Sequence, residues 1–270
     1  QYLLKTNPDG WRCDPPDGRP RKAMLLGDSL VMGWGCPREQ TFAALLDGMV
    51  PQDMQVLSYG VPAWCAAQEI LAYRRLAPKV RPDFVIVAST TLNDFEELSD
   101  LSWEGRGQGL PPDGPISAGK SHVCNWKYSV PVLRNSRAWC FLCTRAFKPL
   151  LDTFWIVADP GRTQEAEEAR TARLLGAIAQ ERPLVVLCMP TVFEFEDGRN
   201  GDRYLETLRR CVPGAHILDF HPILRPIARE AFLSDHAHLT PLGNRVVAEE
   251  TVRFLESEGL LGPCRGPDLP

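Results

Sequence analysis

Residues 21–36 read RKAMLLGDSLVMGWGC, and the order of residue types in this stretch decides the fold. Ala23–Leu26 is a short apolar run; Gly27 and Asp28 stop it, and a different pattern starts at Ser29. A run with no polar alternation suits a strand covered on both faces of a parallel sheet. Four comparable runs follow at Gln55–Ser58, Phe84–Ala88, Leu184–Cys188 and Ile217–Phe220. Helical spacing of apolar residues predicts helices over Glu39–Met49, Ala66–Leu76, Gln164–Gln180 and Pro241–Glu258. The last has the clearest start, a capping hydroxyl at Thr240 followed by proline at the first helical position. Strands alternating with helices predict an α/β fold of three layers, helices on both sides of a central parallel sheet of about five strands. Ligands of such sheets bind beyond the carboxyl ends of the strands. The residues that follow each run are therefore the ones to inspect.

The chain has 270 residues, 44% hydrophobic and 24% charged. That composition suits one large soluble domain, long enough to bury a core without disulfide or metal staples. The expected organisation is a lead-in over residues 1–20, a main domain over 21–260 and a tail over 261–270. An insertion at about 96–160, between the third and fourth strands, interrupts the main domain. Its middle is rich in Gly and Pro, and Val130–Leu150 reads as helical. A connection this long is either an active-site cover or a solvated insertion. A net charge of −4 leaves no basic excess for phosphates, so nucleic acid is not an expected partner. No apolar run reaches the 18 or so residues that a transmembrane helix needs. The chain starts at Gln1, as a trimmed or mature form would. The compartment stays open between a bacterial cytoplasm and a secreted or periplasmic setting, and the oligomeric state is open too. The nine cysteines fit no zinc spacing, and Cys140-Phe-Leu-Cys143 has no second pair to complete four ligands. No metal and no organic cofactor is expected.

Chemistry concentrates at the strand ends. Gly27-Asp28-Ser29-Leu30 puts a hydroxyl just past the first strand, although Asp28 and Ser29 are also ordinary helix-capping types. Ser58-Tyr59-Gly60-Val61-Pro62 follows the second strand, where Gly60 offers a backbone N–H without a side chain or serves only as a turn. Thr90-Thr91-Leu92-Asn93-Asp94 follows the third, with the Asn93 amide as a donor or a cap. Asp235-His236-Ala237-His238 precedes the last helix, and Asp and His three apart in a turn can set a carboxylate against an imidazole. Singly each is weak. Together they supply a nucleophile, a base, an orienting carboxylate and oxyanion donors, the set that acyl transfer requires.

The order Gly-Asp-Ser-Leu, Gly, Asn-Asp, Asp-x-x-His resembles the four signature blocks of the SGNH/GDSL hydrolases. The resemblance runs from about Arg21 to Glu250. Asn7-Pro8-Asp9-Gly10-Trp11-Arg12, Gly33-Trp34-Gly35-Cys36-Pro37, Gly60-Val61-Pro62-Ala63 and His238-Leu239-Thr240-Pro241-Leu242-Gly243 are similar to bacterial members. It implies a flavodoxin-like three-layer fold and a serine esterase. Ser29 would be the nucleophile, His238 its base and Asp235 the partner of His238. The amides of Ser29 and Gly60 and the side chain of Asn93 would form the oxyanion hole. One departure is Thr91, where the family usually carries glycine two residues before the asparagine. Cysteines at positions 36 and 65 stand in the loops after the first two blocks, either as a Cys36–Cys65 disulfide or as two free thiols. The substrate expected by analogy is a small ester, short-acyl or O-acetyl, and an acylated carbohydrate in particular. Trp34, Trp64 and Trp126 are candidate substrate walls, with core packing as the plain alternative.

His236 and His221 compete for the role of base: the first lacks the spacing from Asp235, and the second, after the fifth strand, suits a structural or rim position. Three other functions are open to the same chain. An O-acyltransferase would use the same Ser-His-Asp site with water excluded. A non-catalytic binding module could retain the fold, but it has no need of all five site residues. A nucleotide-binding domain would want a glycine-rich loop after the first strand, where Asp28 would instead meet a phosphate.

Overall fold

The computed structural model describes residues 4–62, 64–90, 164–196 and 202–262. The described strands are β1 (Arg21–Gly27), β2 (Met54–Gly60), β3 (Phe84–Thr90), β4 (Leu184–Met189) and β5 (His216–Asp219). They form one sheet in the order β2-β1-β3-β4-β5, every pair parallel. This is the flavodoxin-like order, with its switch point between β1 and β3. The expected three-layer α/β fold is present, flanked by helices on both faces.

Alternation along each strand explains the layers, since neighbouring side chains point to opposite faces. Ala23 and Leu25 of β1 face one core, with Phe42, Leu46, Val247 and Leu255. Those partners lie on α2 (Phe42–Met49) and on the long C-terminal helix, Pro241–Ser257. Met24 and Leu26 face the other core, with Ile70, Tyr73, Leu175 and Leu208. These come from α3 (Ala66–Val80), α4 (Gln164–Ala179) and, between β4 and β5, the helix Asp202–Cys211.

The register sets the site. Gly27 pairs with Gly60 on one side and with Ala88 on the other, so β1, β2 and β3 end nearly level. Ser29 and the residues after Gly60 therefore emerge along one edge of the sheet.

Boundaries differ from the sequence reading where local rules compete. Helix α3 continues to Val80 through Pro78 and ends at Arg81, whose φ of 54° is left-handed. Strand β5 stops at Asp219, because Phe220 already caps the next helix, α7 (His221–Leu224). Two helices between β4 and β5 escaped the sequence reading: α5 (Val192–Glu196) and α6 (Asp202–Cys211). In α6 charged residues outnumber apolar ones, and Tyr204, Leu205, Thr207 and Leu208 are the buried ones, which hides a narrow apolar stripe. A further short helix is α8 (Ala228–Ala231), and the C-terminal helix Pro241–Ser257 is α9. Among the described residues no helix is long and apolar enough to cross a membrane. The insertion at 96–160, and with it the helix expected over Val130–Leu150, lies outside the described residues, as does Trp126.

Candidate active site

Ser29 is the first residue of α1 (Ser29–Met32), a single helical turn directly after β1. Asp28 builds that turn. Its Oδ1 accepts from Leu30 N (2.8 Å), and its carbonyl accepts from Met32 N (3.1 Å). The capping reading of Asp28 thus holds, and the cap is what presents Ser29. Gly33, at φ 74°, ends the turn in the left-handed conformation that favours glycine.

Gly60 adjoins the same turn. A Cβ built there would lie 2.3 Å from Met32 N, 2.8 Å from Val31 C and 2.9 Å from Asp28 O, all backbone atoms. Only a residue without a side chain lets β2 pass this close to the helix that carries Ser29. Gly60→Ala is expected to displace that turn, destabilising the protein by about 1–3 kcal/mol. The corresponding fall is roughly 2–10 °C in Tm. Thermal denaturation checks it, and an alanine variant with ordinary Tm would contradict it.

His238 arrives from a hairpin between α8 and α9. Phe232 and Leu239 form a bridge, Leu233 N donates to His238 O (2.7 Å), and His236 N donates to Leu233 O (2.9 Å). His236 turns the chain with a left-handed φ of 64°. Asp235 Oδ1 accepts from the backbone N–H of Ala237 (3.2 Å) and of His238 (3.0 Å). Its Oδ2 lies 2.7 Å from His238 Nδ1, and His238 Nε2 lies 2.9 Å from Ser29 Oγ. Partial burial works to raise the Asp235 carboxyl. The hydrogen bonds from the His238 backbone and ring and from the Ala237 backbone outweigh it and hold the pKa below the ordinary carboxylate value. An ionised carboxylate only accepts, so Nδ1–H donates to it, and in the neutral imidazole Nε2 is left to accept from the Ser29 hydroxyl.

The hairpin is braced against the loop that follows Ser29. Buried Asn244 donates from Nδ2 to Leu239 O (3.2 Å) and Thr240 O (2.9 Å), and its Oδ1 accepts from Phe42 N (2.8 Å). Thr240 caps α9 by accepting from Gly243 N (3.2 Å). The Cys36 thiol donates to Leu239 O (3.3 Å), and burial raises its pKa. Cys36 and Cys65 are both buried and form no disulfide with each other, which decides against that alternative. The sequence reading missed Asn244, since a single asparagine in an amphipathic helix carries no signal of a partner on another helix.

The competing histidines are placed elsewhere. His236 stacks its ring on Phe193, centroids 5.5 Å apart, with no contact to Ser29. His221 is buried, its Nδ1 2.6 Å from Asp219 Oδ1. Its neighbours hold Asp219 below its ordinary value: burial opposes this, and the His221 ring and backbone bonds prevail. Trp34 is 48% exposed, its ring centroid 6.1 Å from that of His238. Trp64 is 3% exposed and packs edge-on against Trp11 (6.0 Å); its indole belongs to the core and is left out of the substrate surface expected for it. Asn93 and Thr91 lie outside the described residues. Among those residues no group of three His, Cys, Asp or Glu side chains could hold a metal ion.

No protein-family model matches the chain, and the comparison with curated proteins finds no match. Solved structures do match. TesA is 12% identical with a TM-score of 0.51, covering 88% of this chain and 99% of its own. A lipase/acylhydrolase from Enterococcus faecalis is 13% identical with a TM-score of 0.51, over 88% of this chain and 96% of its own. LAE5, an alpha/beta hydrolase enzyme from the metagenome of Lake Arreo, Spain, is 14% identical with a TM-score of 0.50, over 90% and 97%. At such identities the likeness establishes a shared fold.

Proposed function

We propose, from this fold and the Ser29–His238–Asp235 geometry, that the protein is a serine hydrolase that cleaves carboxylic esters through an acyl-serine intermediate. The observation that carries the reading is the unbroken relay from Ser29 Oγ to His238 Nε2 (2.9 Å) and from His238 Nδ1 to Asp235 Oδ2 (2.7 Å). A nucleophile, a base and an orienting acid meet in bonding order, although Ser29 and His238 are 209 residues apart. That structures named as an acylhydrolase and an alpha/beta hydrolase share the fold supports the same reading.

Ser29 Oγ attacks the ester carbonyl while His238 Nε2 takes its proton. Asp235 keeps the imidazole in the reactive tautomer and stabilises the imidazolium. The backbone N–H groups of Ser29 and Gly60, with the Asn93 amide, stabilise the oxyanion, one such donor supplying about 10²–10³-fold in rate. His238 then protonates the departing alkoxide. Water, activated by the same imidazole, hydrolyses the acyl-serine. A short acyl group, such as an O-acetyl on a carbohydrate, is the proposed substrate. The test is turnover of p-nitrophenyl acetate, butyrate and octanoate together with labelling by a fluorophosphonate. Turnover and one phosphonyl group on the peptide containing Ser29 are expected; a label elsewhere, or an unlabelled and inactive protein, overturns the proposal.

Asp235→Asn is expected to lower kcat by about 10³–10⁴-fold, because an amide no longer selects the tautomer. The stability consequence has a definite sign. The folded-state pKa of Asp235 is depressed, so its contribution is fully present above the unfolded value of about 3.9. It is lost as pH falls through the lower folded value. The Tm advantage of wild type over Asp235→Asn should therefore shrink as pH falls below about 4. An advantage that grew below about pH 4 would contradict the assignment.

A further inference from the structure

The lead-in motif Asn7–Arg12 plays no part in the chemistry above, yet it is built with care. Asn7 Oδ1 accepts from Asp9 N and Trp11 N, each at 3.0 Å, and Asn7 N donates to Trp11 O (2.7 Å). Gly10, at φ 87°, lets this tight turn close. Trp11 is anchored edge-on against Tyr59 (5.0 Å) as well as Trp64. The turn thereby aims Arg12 inward, where the residue is only 8% exposed.

The Arg12 guanidinium grips three carbonyls around the nucleophile loop. Nη1 donates to Met32 O (2.7 Å) and Gly33 O (2.6 Å), and Nη2 donates to Cys36 O (2.6 Å). Bonds from an ionised donor are roughly twice as strong as neutral ones. Their acceptors bracket Trp34, one immediately before it and one two residues after. Both glycines beside Trp34 are left-handed, Gly33 at 74° and Gly35 at 86°. Both are backed against neighbours: a Cβ would come within 2.0 Å of Thr41 Cγ2 at Gly33 and 2.3 Å of Leu233 Cδ1 at Gly35. Trp34 N donates to Ser29 O (2.9 Å). A half-exposed indole is thus held on a rigid turn next to the imidazole of His238.

We infer that Trp34 is a specificity platform for the alcohol side of the ester, and that Arg12 is the positioning residue that fixes it. The inference rests on the hydrolase reading above. His238 protonates the departing alkoxide, so the alcohol lies on its side of the scissile bond, where Trp34 stands. A flat indole face favours an alcohol with a ring, an aryl group or the C–H face of a pyranose. Pre-ordering the indole spares the substrate the entropy of ordering it.

The test compares phenyl acetate, an acetylated methyl pyranoside and ethyl acetate, which has no ring. For Trp34→Ala, Arg12→Met and Arg12→Lys, the selectivity for each ring ester over ethyl acetate is expected to fall about tenfold, with the loss in KM rather than kcat. The Trp34→Ala/Arg12→Met double variant should lose no more selectivity than either single, since both remove one interaction. Gly35→Ala disturbs the same turn without touching Arg12 and should act in the same direction, which keeps the test decisive if the Arg12 variants do not fold. Loss with phenyl acetate alone identifies an aryl alcohol, and loss with both ring esters identifies the shared ring face. Unchanged selectivity, or losses that add, overturns the proposal. One readout needs no turnover. In protein labelled with 5-fluorotryptophan, the ¹⁹F line of Trp34, assigned by Trp34→Phe, should be sharp and should shift or broaden in Arg12→Lys. An unchanged line removes the positioning role. Absence of all ester turnover with a responsive line removes the hydrolase reading instead.

Discussion

Ser29→Ala should lower kcat/KM for p-nitrophenyl acetate by about 10⁴-fold or more while leaving the fold intact, because on the acyl-serine proposal it removes the nucleophile and leaves only the residual catalysis of the oxyanion donors. The Oγ contacts His238 Nε2, and the turn itself is held by Asp28 and Gly33, so alanine keeps the helix. Tm should move by no more than a few degrees. Measuring turnover and thermal denaturation on the same preparation separates chemistry from folding. A variant that retained turnover would end the acyl-serine proposal, and one that lost both would leave the nucleophile undemonstrated and call for Ser29→Cys beside it.

His238→Ala is expected to have an effect of the same order, and the two losses should not add. In the proposed mechanism base and nucleophile act as one unit, so the double variant should be no slower than either single variant. Neither other histidine near the hairpin can stand in. His236 is committed to its left-handed turn and to Phe193, and His221 to Asp219. Kinetics of all three variants on one substrate, over pH 5–9, check this. Independent, multiplying losses would show that His238 serves something other than Ser29.

Much of this was legible beforehand. The five apolar runs became the five strands because both faces of the sheet are covered, and a doubly covered strand must be apolar throughout. Thr240 and Pro241 started α9 as hydroxyl caps and early prolines do. Helix α6 was not legible, since its inward stripe of Tyr204, Leu205 and Leu208 is interrupted by charges that sit in water. Trp64 reads in sequence as wall or as core, because an indole shows there only that it is apolar; its burial and its contact with Trp11 are tertiary facts.

The chain by itself determined the layered fold, its strand ends and the types of residue placed there, because periodicity and turn chemistry are local properties. Only the tertiary structure decided that Ser29, Asp235 and His238 meet within hydrogen-bonding distance. It alone decided that Gly60 is needed for a backbone approach and that Cys36 and Cys65 form no disulfide with each other. It also turned Arg12, an ordinary charge in the sequence, inward onto three carbonyls. Each of these depends on atoms far apart in the chain, and their separation is set by register and packing, which no local pattern of residues encodes.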